Sequence, residues 1–571
     1  MKLAKAATRV QRRYRTCLAA ALFACLFPMQ ESQASWLQIC AEPPSGERAF
    51  DLVLPRAEGA PLHAAISEQP PAPGCSALKL PVDADAITAL HPITSGQRAN
   101  LGNSIALLGN DRQGRFFVSA VFGRFRTPQE AQPMPLVENL LPGLRASVFG
   151  AEERAQARIV GGQLALRCKP GTRPAGVTLH APTYIPRADL ALHLSGTGDG
   201  RFEVLAADVS HAAREATIAL GSFAPDNAHA EVDYLLPRKG LDRSNWRFWA
   251  IACPQDEANL RIDALRLAPQ VKPPPGRATW IWDAAFWQQQ PDLVFARAEK
   301  YGITTLFITV PVATDGVADP AALAGFIRQA TARGLEVMAV DGDPGMVLPE
   351  RRDDILARAR AYAAYNADAD EGTWLRGVQF DIEPYLLPGY NQAAGGWDAL
   401  YLDMARALQK ELGGMPMEMV VPAWWAEKTG FINALAPLVS GLTVMDYRTE
   451  RKEIYRYAVP FLDWGEAHQK PVRIALEAGP AEDESERRYV KGPSGELWLL
   501  TLEQTHFVLL LNEAKSNPAG PSYRMTRTLK TDGTVTSFQR NPQRMLDMLP
   551  ELERMFSSWP TFRGMALHEI R

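Results

Sequence analysis

The sequence carries little net charge, −3 over 571 residues. A nucleic-acid binder normally shows a clear basic excess, so that class of partner is not expected. Histidine is scarce, nine in all, and no HxH, HExxH or CxxC spacing occurs. Neither a metal centre nor any other cofactor is therefore expected. A metal-dependent hydrolase built on Asp341, Asp343 and His568 is the weaker reading for the same reason. No charge block or low-complexity run stands out. Past the N-terminus no apolar run is long enough to cross a bilayer. What remains is ordinary globular composition, 46% hydrophobic and 22% charged, in a chain long enough for three or four domains.

The N-terminus has a different texture. Lys2, Lys5, Arg9, Arg12, Arg13 and Arg15 precede the short apolar run "CLAAALFACLF", and "SQAS" supplies small residues. That is the pattern of a secretory signal, residues 1–35, with cleavage near Ala34 or Ser35. Arg12-Arg13 as a twin-arginine signal and Cys25 as a lipoprotein cysteine fit less well. The expected product is exported, periplasmic or extracellular, with no membrane span after signal removal. Cys17 and Cys25 leave with the signal, and Cys40, Cys75, Cys168 and Cys253 remain. An even number in an exported chain points to disulfides. Cys40–Cys75 and Cys168–Cys253 is the favoured pairing, because each pair then lies inside one domain.

Residues 36–155 read as a small, mostly β domain with Gly- and Pro-rich connections. Residues 156–270 hold eight short alternating segments, from "GQLALRC" to "LRIDALRLAP". Their spacing, roughly 8–12 residues, is that of a β-sandwich, jelly-roll-like in strand number. "VKPPPG", residues 271–276, is a stiff proline linker. From 277 to 571 near-continuous apolar strands alternate with amphipathic stretches such as "DPAALAGFIRQATARG". Eight such strands predict a (β/α)8 TIM barrel. The segment from "ERRYVKGPSGELWLLTL" to "TDGTVTSFQR" is an insertion before the last helix and strand. The expected fold class is thus multidomain: a C-terminal (β/α)8 TIM barrel behind a sandwich and a small mostly-β domain.

In such barrels chemistry sits at the C-terminal strand ends. Trp282 and Asp283 end the first strand, Asp341 and Asp343 the third, and Asp381 and Glu383 the fourth. Trp424 and Trp425 end the fifth, Asp446, Tyr447 and Arg448 the sixth, Glu477 the seventh, and His568 and Glu569 the eighth. Carboxylates interleaved with tryptophans suit a sugar, whose C–H face lies against a flat indole. In "RGVQFDIEPY", residues 376–385, Asp381 and Glu383 stand two apart and point the same way. A charged Asp381 would raise the pKa of Glu383 and keep an acid near neutral pH.

"RGVQFDIE" resembles the DGxDxDxE signature of the chitinase-like family 18 glycoside hydrolases. Gly377 matches its glycine, Asp381 its last aspartate and Glu383 its acid. "VMDY", 444–447, resembles the sixth-strand Met-x-Tyr of that family, with Met445 and Tyr447 in place. The resemblance covers roughly half the chain. Arg376 and Gln379 replace the first two aspartates, and Arg448 stands where that family often has an aspartate. These departures imply a divergent glycosidase barrel rather than a chitinase. Residues 156–270 are similar in architecture to carbohydrate-binding modules.

The expected function is an exported glycoside hydrolase with Glu383 as general acid. The resemblance implies a substrate-assisted mechanism in which Asp381 and Tyr447 hold an acetamido group. Ordinary retention would need a nucleophile on another strand, with Glu477 the best candidate and Asp446 a third choice. Trp282, Asp283, Asp341, Trp424, Trp425, Asp446, Arg448 and His568 are the candidate substrate contacts. The alternative is a non-catalytic carbohydrate-binding protein on the same barrel. The expected partner is a glycan, and the expected state is a monomer.

Overall fold

The computed structural model describes residues 34–569, apart from 45, 57–58, 111–114, 120–131, 181–182, 209–216, 238–245, 271, 315 and 392–393. The signal expected over 1–35 lies outside the described residues up to 33, and Ser35 already opens the first strand. No described helix is long and apolar enough to cross a membrane.

Eight parallel strands close into a barrel: Arg277–Ile281, Ile303–Thr309, Glu336–Asp341, Val378–Phe380, Met417–Pro422, Gly441–Met445, Val472–Glu477 and Phe562–His568. Their residues are mostly buried on both faces, as in parallel sheets whose outside is covered by helices. The helix Gly395–Glu411 shows how that cover forms. It buries Trp397, Tyr401, Met404, Ala405 and Leu408, a stripe at helical spacing that faces the strands.

The regular (β/α)8 TIM barrel expected from the sequence needs correction. Strand and helix do not alternate one for one. Two helices, Ala284–Gln289 and Pro291–Tyr301, follow the first strand. Four antiparallel strands separate the seventh strand from the helix Pro542–Phe556 and the eighth. No helix follows the eighth strand among the described residues, in keeping with the sequence pattern, which offers no eighth helix. Those residues hold nine α-helices against thirty-one strands, so the molecule is sheet-rich.

The separate small N-terminal domain is corrected as well. Strands Ile87–Ile93, Ser104–Asn110 and Arg115–Ser119 join the four strands between Glu484 and Thr531 in one seven-stranded sheet. A four-stranded sheet of Ser35–Cys40, Ala49–Leu54, Leu62–Ser67 and Ser76–Leu80 packs against it. Leu37, Leu52 and Ile66 from one sheet meet Trp498, Leu500, Phe507 and Leu509 from the other in a single core. The "insertion" and the N-terminal region are thus two halves of one unit. That unit touches the barrel at the connection after the fourth strand. Asn391 donates to Pro92 O at 2.9 Å and to Gln97 Oε1 at 3.0 Å. A Cβ on Gly396 would lie 2.7 Å from the Pro55 carbonyl carbon, so only glycine fits that approach.

Residues 277–571 expressed alone lose the cover over Trp498, Leu500, Phe507 and Leu509. Such a fragment should aggregate or bind a hydrophobic dye strongly. A soluble, cooperatively melting fragment would show that the strands between 484 and 531 fold without their N-terminal partners.

Between these parts, two five-stranded antiparallel sheets share a core that includes Leu192, Val204, Trp249 and Leu265. Their first strand, Arg145–Gly150, lies ahead of the boundary expected at 156. The sandwich rests on the barrel through Tyr455, which donates to Met134 O at 2.8 Å, and through Asp189 N to Ser558 O at 2.7 Å. Both expected disulfides are present, Cys40–Cys75 and Cys168–Cys253. The first links Ser35–Cys40 to the segment leading into the neighbouring strand Ser76–Leu80.

Candidate functional site

Alternation along each strand decides what reaches the barrel interior. The inner face carries Ala278, Phe307, Met338, Val340, Ala475 and Ala566, with Trp280 and Tyr447 packed against them. Gln379 lies in the interior, fully buried. It accepts from Trp280 Nε1 at 2.6 Å and donates to Thr443 Oγ1 at 3.0 Å and Glu418 Oε2 at 3.3 Å. Below it Arg473 lies 3.8 Å from Glu418. Continuing each inner row upward by two residues gives the mouth: Trp282 after Trp280, Asp381 and Glu383 after Gln379, Tyr447 after Met445, Glu477 after Ala475, and His568 after Ala566.

Asp381 Oδ1 is buried without a hydrogen-bond partner. Burial first, then the charge of neighbouring Glu383, pushes its carboxyl up to about 8, with the His568 charge pulling the other way. The pair therefore keeps a proton near neutral pH. The sequence reading placed that proton on Glu383. Burial acts on Asp381 as well, so the retained proton belongs to the Asp381–Glu383 pair. Glu383 accepts a hydrogen bond from the Tyr385 hydroxyl. Burial, then the charge of Glu383, holds Tyr385 well above the ordinary phenol range, so it stays a donor. Tyr447 is raised by burial and by Glu477, Asp381 and Glu383, which places it among the same carboxylates.

Across the mouth, neighbouring strands put Glu477 directly beside His568. Glu477 Oε2 and His568 Nδ1 are 2.7 Å apart. The other carboxylate oxygen of Glu477 accepts from Gly479 N. Trp282 Nε1 donates to His568 Nε2 at 3.3 Å. Trp282 itself is 37% exposed, an apolar platform at the rim. Trp424 is half-buried, set edge-on to Tyr385 with ring centres 5.4 Å apart.

Other candidates fall away from the mouth, each for a physical reason. Asp341 follows inner-facing Val340 and so points outward. There it pairs with Arg358 and accepts from Tyr362 at 3.0 Å. Asp446 has the opposite parity to Tyr447 and is fully buried outside the barrel wall. Neither of its carboxylate oxygens has a hydrogen-bond partner, and burial raises its pKa well above the carboxylate range. Asp283 caps the helix Ala284–Gln289 by accepting from Ala285 N at 2.9 Å. Asp343 does the same for Gly345 N at 2.7 Å. Trp425 is buried, wedged edge-on against Tyr401 and Phe431. Arg448 donates to Tyr447 O at 2.6 Å and lies over the Tyr457 ring. Tyr385 is the residue the sequence reading passed over. It stood inside the quoted stretch, and the turn led by Pro384 brings its hydroxyl back to Glu383.

Among the described residues no group of His, Cys, Asp and Glu could hold a metal ion. No family model matches this chain, and no curated protein matches it. Similar solved structures are family 29 carbohydrate-binding modules. One is a module from Piromyces equi, at 9% identity over 22% of this chain and 80% of the module, with a TM-score of 0.18. Two others are variants complexed with mannohexaose and with cellulohexaose. Each is 12% identical, covers 22% of this chain and has a TM-score of 0.18, spanning 81% and 80% of the module. Likeness at that level carries no argument about function.

Proposed function

We propose that this protein is an exported glycoside hydrolase whose barrel mouth cleaves a polysaccharide or oligosaccharide, with Glu383 as general acid. One observation carries the reading: a carboxyl pair at the end of the fourth strand, in which burial and the neighbouring charge hold a proton to about pH 8. An acid that keeps its proton at neutral pH is what a leaving glycosidic oxygen requires. Glu383 stands two residues nearer the rim than Asp381, so the pair's proton reaches the leaving oxygen through Glu383. Tyr385 fixes the Glu383 carboxyl through its hydroxyl. Trp282 and Trp424 offer apolar faces for sugar rings. The two disulfides fit the oxidising compartment of an exported protein.

A second reading, a carbohydrate-binding protein that cuts nothing, is favoured by one feature. Both carboxylate oxygens of Glu477 are engaged, by His568 and by Gly479 N, so Glu477 is not presented as a nucleophile. Incubation of the full chain with a broad polysaccharide panel separates the two readings. New reducing ends are expected from at least one substrate. Retention on a glycan column with no reducing ends released from any member would favour the binding protein.

A further inference from the structure

The engaged Glu477 belongs to a pair with chemistry of its own. A carboxylate only accepts, so its hydrogen bond with His568 puts the ring proton on Nδ1. An indole N–H only donates, so Trp282 meets a lone pair on Nε2. Both neighbours select the same neutral tautomer. The ring is fixed in orientation as well. Tyr447 stacks on it at 6.2 Å and 21°, and Trp280 meets it edge-on at 5.6 Å. The Gly479 backbone reaches Glu477 only because residue 479 has no side chain. A Cβ there would lie 2.9 Å from Glu477 Oε1 and 2.7 Å from the Glu569 Cβ. At 3.3 Å the Trp282 contact is the loosest of these, and it closes the one ring nitrogen that Glu477 does not hold.

Resting on the glycosidase reading, we propose that His568, oriented by Glu477, is the general base of the site and that the enzyme inverts the anomeric carbon. Nε2 gives up its Trp282 contact and takes a proton from the attacking water. The water oxygen bonds to the anomeric carbon as the glycosidic C–O bond breaks. The bonding pair leaves on the glycosidic oxygen, which takes the proton of Glu383. The products are a hemiacetal, a free hydroxyl, an imidazolium and a carboxylate. His568 then releases its proton to solvent, and the Asp381–Glu383 pair takes one back.

The groups facing the ring set its pH range. Burial disfavours the imidazolium. The Glu477 hydrogen bond and charge, with Glu569 and Asp381 behind them, outweigh burial and raise the pKa above the ordinary histidine value. Tyr447, the other titratable neighbour, is neutral throughout this range. The acid limb of kcat/KM should therefore lie above pH 6.5 and should vanish in a His568 variant.

The test uses the full chain and a substrate from the polysaccharide panel, with product anomers followed by NMR. His568→Gln should lower kcat by about a hundredfold or more with little change in KM. Added imidazole should restore part of the activity of His568→Ala, and wild-type product should be inverted. A His568→Gln enzyme within a few-fold of wild type, or a retained anomer, overturns the proposal. If Glu383→Gln is still inactive in that case, the glycosidase reading stands without it. A wild-type protein that cuts nothing ends both. One readout needs no turnover: long-range ¹H–¹⁵N spectra, assigned by difference against His568→Gln. They should show Nδ1 protonated at pH 8 and the preference relaxed by Glu477→Gln. An Nε2–H tautomer would leave no lone pair for the water and would also overturn the proposal.

Discussion

Glu383→Gln should lower glycan cleavage by roughly 10²–10⁴-fold while leaving glycan affinity within a few-fold of wild type. The amide keeps the shape of the side chain and can still accept from Tyr385 through its carbonyl oxygen. What it cannot do is give a proton to the leaving oxygen. A loss confined to kcat therefore marks the acid, whereas a loss in KM alone would mark Glu383 as a binding residue. Initial rates and equilibrium binding, measured on the same oligosaccharide, distinguish the two. Equal rates for variant and wild type would remove Glu383 from the chemistry.

Asp381→Asn should change how stability depends on pH. Burial and the Glu383 charge raise the folded pKa of Asp381 to about 8, against about 3.9 for an ordinary aspartate. A raised carboxyl binds its proton more tightly in the folded state, so stability is highest below the unfolded pKa. It falls as pH rises from about 4 and levels off above about 8. Replacing Asp381 by a group that does not titrate removes this slope. Melting temperatures of wild type should drop between pH 5 and 8.5, and those of Asp381→Asn should drop much less. Asp463, which burial raises to about 6, contributes to both proteins and cancels in the difference. An unpaired buried amide costs the variant about 1–3 kcal/mol at every pH, which moves the whole curve without changing its slope. Parallel curves would mean that Asp381 ionises normally. The same substitution should move the alkaline limb of the rate profile to lower pH, because Glu383 then titrates without the Asp381 charge beside it.

How much of this could be read from the chain depends on which signal each residue carries. The pair Asp381 and Glu383 was legible because period-two alternation is local, and Gln379 two positions earlier lies on the same inner face. Asp341 and Asp446 were misplaced by neglect of that same rule. Each follows an apolar strand, yet each has outward parity, as the Arg358 partner of Asp341 shows. Trp424 and Trp425 differ because a tight turn sends adjacent side chains in opposite directions, a distinction that composition does not record. The seven-stranded sheet was not legible at all. Its pairing of Ile105 with Tyr489 joins segments far apart in sequence, and no local pattern announces such a partner. The Glu477–His568 contact lay between two residues already singled out, but their register was needed to see that they touch.

The most direct measurement is a crystal structure of the full chain carrying Glu383→Gln, soaked with mixed oligosaccharides. The account predicts a sugar chain across the mouth between Trp282 and Trp424. Its glycosidic oxygen should lie within about 3.2 Å of the position-383 side chain, the reach a general acid needs. Sugar bound only on the sandwich, or lying in the mouth with no glycosidic oxygen near position 383, would contradict it.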